Sequence, residues 1–235
     1  MKISIIIFCY NESDSLATLI DNSIATLKLI ASSFEIIIVD DGSTDNTASI
    51  AKEYKAKYPL LIKIISHKQN LGIGMALHSG YNAAVFEYVC AIPGDGQFGI
   101  NQLTIIKPFD DNVYYSFYRV KTGYNVYRRI LTVVNRLYNQ YVMGIYLRDV
   151  NWIKVYRKSQ LDIVKPELKS SLIESEICAK LNKYRAVPIE IPSEYLAREY
   201  GISKGGSWKT LRMAIAEVII LYKVTRKFNP PRKAK

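Results

Sequence analysis

The sequence predicts an α/β fold in which a mostly parallel sheet carries helices on both faces. Short continuous apolar runs alternate with helix-period segments through the first hundred residues. The connections between them are short, which implies right-handed crossovers between parallel strands. Small polar and acidic residues gather directly after each apolar run, where open parallel sheets bind ligands.

Residues 3–9, ISIIIFC, form a run that is apolar but for Ser4, the pattern of a strand covered on both faces. Residues 13–32 place Leu16, Leu19, Ile20, Ile24, Leu27 and Ile30 at helical spacing, with Ser13 or Asp14 as the expected cap. FEIIIVD (34–40) is a second strand, and 43–58 a helix ending before Pro59, for which Asp45 is the expected cap. LIKIISH (61–67) and EYVCAIP (87–93) read as strands flanking a helix at 72–85.

From residue 110 the pattern changes. NVYYSFYRV (112–120) is a strand, and 124–144 a basic, Tyr-rich amphipathic helix stopped by Gly144. VNWIKVYRK (150–158) reads as a strand and 171–184 as a helix. AVPIEIP (186–192) reads as an edge strand, because proline cannot donate to a central ladder. An amphipathic helix at 207–228 and a basic tail close the chain.

A length of 235 residues suits one domain, with or without an appendage, and 49% hydrophobic content supports a globular core. Cys9, Cys90 and Cys178 form no pair or cluster, which points to a reducing compartment and away from a zinc site. No run reaches the roughly 18 apolar residues of a membrane-spanning helix. The apolar start lacks a cleavage site and runs into a polar turn, so it reads as a strand rather than a leader. The net charge of +11 is unevenly spread: residues 1–114 carry −4, 115–158 carry +8, 159–197 carry −1, and 198–235 carry +8. Two basic blocks beside an acidic half imply a polyanionic partner such as an anionic membrane surface, phosphorylated substrates or nucleic acid.

The strand-edge rule selects Tyr10 to Glu12, Asp40 to Ser43, His67 to Gly72, and Gly94 to Gln97. Capping explains Asp45 but not two carboxylates, Asp40 and Asp41, flush with a strand end. A carboxylate that accepts hydrogen bonds from a base or ribose accounts for them better. Asp95, between two glycines in PGDGQF, suits a Mg²⁺ or Mn²⁺ ion on phosphates, and equally an ordinary turn. Gly72 and Gly74 open a helix without forming GxGxxG, either as a tight turn or as a phosphate support. His67 and His78 lack an acidic partner set and read as satisfied or exposed histidines.

SIIIFCYNES, EIIIVDDGSTDNT, NLGIGMALHSGYNAA and PGDGQF occur in the order and spacing of family 2 glycosyltransferases. More narrowly, the chain resembles a dolichyl- or polyprenyl-phosphate sugar synthase of the dolichol-phosphate mannosyltransferase type. RDVNWIKVYRKS and the R-x-x-G-x-S-K element (Arg198, Gly201, Ser203, Lys204) extend the likeness over roughly residues 2–210. It implies a Rossmann-like GT-A fold and a hexosyltransferase that moves a sugar from a GDP- or UDP-linked donor to a lipid phosphate with inversion. By resemblance, Tyr10, Glu12 and Asp40 hold base and ribose, and Asp41 supports the loop or the diphosphate. Asp95 holds the metal with Gln97 beside it, and Gly72 joins the donor site. Arg119, Arg128 or Arg129, Arg198, Ser203 and Lys204 meet donor or lipid phosphates, and Asp149 is the acid near the reacting centre.

The chain departs from the family in two places. Pro93 replaces the first acid of the Asp-x-Asp pair, and the stretch after Asp149 lacks a Gly-Phe and is one residue shorter. The resemblance places a catalytic domain at 1–207, with a nucleotide-sugar half (1–110) and an acceptor half (111–207), before the helix and tail at 208–235. It places the chain in the cytoplasm, peripheral on the cytosolic face of a membrane, alone or with a separate anchoring protein, and acting on no nucleic acid. The competing readings are a family 2 enzyme acting on a saccharide hydroxyl, with Asp149 as base, and a noncatalytic basic binding module.

Overall fold

The structure, a computed structural model, describes residues 1–120, 126–196 and 208–231, with side chains at 1–120, 132–196 and 217–231. In chain order the elements are β1 (Lys2–Cys9), α1 (Ser13–Ile30), β2 (Ser33–Asp40), α2 (Thr47–Lys57), β3 (Ile62–Ser66), α3 (Ile73–Ala83) and β4 (Tyr88–Pro93). After a 3₁₀ turn at Ile100–Ile105 come β5 (Val113–Arg119), α4 (Val126–Tyr141), β6 (Lys154–Arg157), α5 (Lys158–Val164), α6 (Ile173–Lys183), β7 (Val187–Ser193) and α7 (Trp208–Lys227).

The described strands form one seven-stranded sheet in the order β3-β2-β1-β4-β6-β5-β7. Only β6 runs against the rest, pairing antiparallel with both β4 and β5. The edge strand expected from its prolines is β7, at the end of the order. Alternation through the apolar runs splits the core. Ile3, Ile5, Ile7, Ile36 and Ile38 pack with α1 on one face, and Ile6, Ile37 and Val39 with α3 and α6 on the other. Each such fully buried side chain contributes about 1.5–3 kcal/mol relative to exposure. Register brings the strand ends level: Cys9 pairs with Asp40, Asp40 with Ser66, and Phe8 with Pro93. Among the described residues no helix is long and apolar enough to cross a membrane.

Several local expectations shift. Helix α1 is capped at Glu12, whose carbonyl accepts the Ser15 and Leu16 N–H groups, rather than by Ser13 or Asp14. The Ser13 N–H is taken instead by Asp45 Oδ2 at 3.2 Å. Helix α2 begins at Thr47, and Asp45 stands just before its N-cap, accepting the Thr47 N–H at 2.9 Å. Strand β6 is only four residues long, because the Val150 and Trp152 carbonyls turn onto the Lys154 ammonium instead of into a ladder. Helix α5, too short to show a period, follows β6 at once, with Gln160 reaching back to the Arg157 N–H at 3.0 Å.

At the opposite, amino edge, Glu35 accepts from Ser4 Oγ (2.6 Å) and the Val85 N–H (2.9 Å) and pairs with Lys63 (2.7 Å). Burial opposes its ionisation, but these partners outweigh burial and hold the carboxyl below its ordinary range. A depressed folded-state pKa contributes stability above the unfolded value, and that stability is lost as pH falls through the folded one. Urea midpoints measured against pH should therefore show wild type more stable than Glu35→Gln at neutrality. The gap should close in acid, and a pH-independent gap would contradict this account.

Candidate active site

The carboxyl edge of the sheet collects the ends of β1, β2, β3 and β4, and those of β5 and β7, which run the same way. Because β6 runs oppositely, the loop leading into it, with Asp149 and Trp152, lies at this edge too.

The loops after β1 and β2 are laced together by side chain–backbone bonds. The Asn11 N–H donates to Ser43 Oγ (2.9 Å), Asn11 Oδ1 accepts the Thr44 N–H (2.8 Å), and the Glu12 N–H donates to Thr47 Oγ1 (2.9 Å). Asn11 takes φ 57°, a conformation that asparagine tolerates better than most residues. Asp45 joins this lacing, and its hydrogen bonds to Thr47 and Ser13 overcome partial burial to lower its pKa.

Asp40 and Asp41 are both buried but have different tasks. Asp40 Oδ1 accepts the Ser43 N–H at 3.0 Å, closing its own turn. Asp41 reaches into the next loop: Oδ1 accepts from His67 Nδ1 (2.7 Å) and the Leu71 N–H (3.0 Å), and Oδ2 accepts the Gly72 N–H (2.8 Å). His67 Nε2 continues to Ser79 Oγ at 2.9 Å, so His67 is a satisfied histidine. The same loop presses on Gly42, which has φ 73°; a Cβ there would stand 2.4 Å from the Gln69 carbonyl carbon. No other residue fits. Of the two readings of Gly72, its bond to Asp41 fits the tight turn, since its N–H serves an internal carboxylate.

Asp95 lies in the Pro93–Gln97 turn, where Oδ1 accepts the Gln97 N–H at 3.1 Å. Ser15 Oγ ties α1 to this turn through the Gly94 carbonyl (2.7 Å). Gln97 Nε2 donates to Tyr195 OH (2.6 Å), and the Gln97 carbonyl accepts the Leu196 N–H (3.0 Å). The segment after β7 is thus docked on the Asp95 turn. Cys9, beneath these acids, is a buried small residue whose thiol is pushed up by burial first and then by the Asp40 charge.

Arg119 ends β5 and makes a bidentate pair with Asp149, Nε to Oδ2 at 2.6 Å and Nη2 to Oδ1 at 2.9 Å. Its guanidinium lies 4.7 Å from the Trp152 ring centre and 5.7 Å from that of Tyr195. Trp152 Nε1 donates to Ser193 Oγ at 3.1 Å, fixing the platform. Tyr10, Glu12, Asp40, Asp41, Gly72, Asp95, Gln97, Arg119 and Asp149 therefore share one edge. Arg198, Ser203 and Lys204, and the side chains of Arg128 and Arg129, lie outside the described residues. Sequence reasoning missed Trp152 and Tyr195. The strand-edge rule applied to AVPIEIP would have reached Tyr195, because β7 is parallel to β5.

Among the described residues no group of three His, Cys, Asp or Glu could hold a metal ion by itself. One carboxylate at a glycine-flanked turn still suits Mg²⁺, which binds through one or two carboxylates together with substrate phosphates and water.

Comparison with known proteins gives a consistent picture. The profile described as Glycosyl transferase family 2 matches residues 4–162. An undecaprenyl-phosphate 4-deoxy-4-formamido-L-arabinose transferase from Edwardsiella ictaluri is 26% identical over 215 residues, 90% of this chain and 65% of that protein. Its Yersinia pestis counterpart is 35% identical over 96 residues, 41% of this chain and 29% of that protein. The chain thus spans less than two thirds of the length of either relative. Among solved structures, glucosyl-3-phosphoglycerate synthase from Mycobacterium tuberculosis, in complex with Mn²⁺, uridine-diphosphate and phosphoglyceric acid, superposes with a TM-score of 0.67 at 16% identity, covering 97% of this chain and 79% of that one. A mannosyltransferase from Pyrobaculum calidifontis, in complex with GDP-Man and Mn²⁺, gives 0.59 at 18% identity, covering 97% and 65%. The fold is that of the GT-A glycosyltransferases.

The two acids should separate in stability measurements. Asp41→Ala leaves two backbone N–H groups and His67 without their acceptor and should cost about 2–4 kcal/mol, against about 1 kcal/mol for Asp40→Ala. Urea unfolding checks this, and equal losses would contradict the division of tasks.

Proposed function

The chain belongs to glycosyl transferase family 2, and on that premise we propose that it transfers a sugar from a nucleoside-diphosphate sugar to a polyprenyl phosphate. The observation that carries this reading is the meeting of Asp40, Asp95 and the Arg119–Asp149 pair at one carboxyl edge. The undecaprenyl-phosphate relatives support the lipid acceptor.

In this reading Tyr10, Glu12 and Asp40 receive the nucleoside. Asp41 positions the loop before α3 rather than touching the donor. Asp95 and Gln97 face the diphosphate, and Asp95 is the residue that would hold a Mg²⁺ or Mn²⁺ ion. Such an ion supplies neutralising charge to the diphosphate leaving group. Arg119, with Arg128, Arg129, Arg198, Ser203 and Lys204, receives phosphate. An oxygen of the acceptor phosphate attacks the anomeric carbon in line as the bond to the diphosphate oxygen breaks, so the configuration inverts. The acceptor is already an anion and needs alignment against charge repulsion more than deprotonation. The bidentate hold of Arg119 on Asp149 agrees with this, because a carboxylate clamped by a guanidinium is a poor general base for a saccharide hydroxyl. Residues 1–110 form the donor half, 111–207 the acceptor half, and 208–235 an accessory helix and tail.

The same reading puts the chain on the cytosolic face of a membrane. Over residues 132–141 of α4, Asn139 is buried, whereas Val134, Leu137 and Tyr141 are exposed. Helix α7 buries Leu221 and Thr225 and exposes Ile219, Ile220 and Tyr222. Tyr138 OH donates to the Val218 carbonyl at 3.2 Å, joining two helices that carry eight of the nineteen Lys and Arg residues of the basic blocks. Apolar and tyrosine side chains flanked by Arg136, Lys223 and Arg226 suit an anionic lipid surface.

A screen of labelled nucleotide sugars against a polyprenyl phosphate tests the reaction. Label should enter the lipid phase with one donor, whereas label recovered only in water-soluble saccharide would overturn the lipid acceptor. On anionic liposomes wild type should float, and Val134→Glu/Leu137→Glu should float roughly tenfold less. Equal flotation would remove α4 from the membrane face.

A further inference from the structure

Lys154 opens β6 in the interior, 2% exposed. Its ammonium donates to the Val150 carbonyl and, at 3.1 Å, to the Trp152 carbonyl, and it stands 3.5 Å from the Glu174 carboxylate. Glu174, on α6, also accepts from Tyr81 OH of α3 (2.5 Å) and Tyr156 OH of β6 (2.7 Å). Burial, with the Glu174 charge adding to it, pushes both phenols well above the ordinary tyrosine range, so both remain donors. The proposed reaction uses none of these groups directly.

A buried ion pair is weak evidence for stability, since apolar replacements of similar volume are often neutral or better. The carbonyls it holds are more telling. Val150 and Trp152 lie between Asp149, the bidentate partner of Arg119, and the start of β6. Trp152 is also the ring beneath the Arg119 guanidinium. Two carbonyls turned inward need a donor with more than one N–H, and an ammonium held by Glu174 supplies it.

We propose that Lys154, with Glu174 as its counter-ion, is a positioning residue that sets the 149–152 loop and thereby the Arg119–Asp149–Trp152 group that receives the acceptor phosphate. The inference rests on the proposed transfer reaction. It assigns Lys154 no contact with substrate.

The test separates folding from positioning. Lys154→Met alone strands a buried carboxylate and should lower the melting temperature. Lys154→Met/Glu174→Gln removes both charges and should regain most of that stability. Positioning predicts that the double variant still transfers at least tenfold more slowly at subsaturating polyprenyl phosphate, with a raised acceptor KM and donor affinity within twofold of wild type by calorimetry. In a Trp208→Phe background, its Trp152 emission should also respond less to a short-chain polyprenyl phosphate. Recovery of wild-type acceptor KM together with stability would overturn the inference. If the double variant does not fold, Lys154→Gln carries the test: an acceptor KM raised at least fivefold supports positioning, and a wild-type value overturns it. Wild type that moves no label into the lipid phase would overturn the transfer reading as well, an outcome distinct from an active wild type with an unaffected variant.

Discussion

The carboxylate of Asp41 is the fixed point of the carboxyl edge. It takes one side-chain and two backbone donors from the loop after β3, and that loop in turn packs on Gly42. One side chain at the end of β2 thus answers two backbone donors of the neighbouring loop. The lacing of Asn11, Ser43, Thr44 and Thr47 does the same for the loops after β1 and β2. These bonds hold the loops that carry Asp40 and Asp95 in one frame, and in the proposed reading a preformed frame lowers the cost of binding.

The second half of the chain meets this frame at Gln97, and a bond within the second half fixes the strand end there. Tyr195 and Leu196 bond to Gln97, and Trp152 bonds to Ser193, so the strand ends of β5 and β7 sit against the Asp95 turn. The acidic first half and the basic second half thus meet at this edge. Helices α4 and α7 carry eight of the 32 Lys and Arg residues and turn Val134, Leu137, Ile219 and Ile220 outward.

How much of this was legible depended on whether a pattern or a contact carried it. ISIIIFC and FEIIIVD read as strands because their central positions, 5–9 and 36–39, are consecutively apolar, and the prolines of AVPIEIP marked an edge. The antiparallel insertion of β6 was not legible, since direction depends on the path of the chain and not on composition. Lys154 and Glu174 look like ordinary surface charges in sequence, and only packing reveals that both are buried. The same holds for Glu176 and Lys180, an i,i+4 pair that resembles an exposed helix pair yet lies in the core. In the candidate site, the acids were visible as residues after strands. The resemblance already gave Asp40 and Asp41 different tasks, but whether Asp41 serves the loop or the diphosphate was not legible, because that is settled by a few ångströms.

The central claim is that the frame built on Asp41 presents Asp40 to a nucleoside diphosphate. Calorimetric titration of GDP and UDP, with Mn²⁺ present, into wild type and Asp40→Ala tests it most directly. The account predicts measurable binding of one nucleotide to wild type and at least tenfold weaker binding, a loss of about 1.4 kcal/mol, to a folded Asp40→Ala. Equal affinity in the folded variant, or no heat with either nucleotide in wild type, would contradict it.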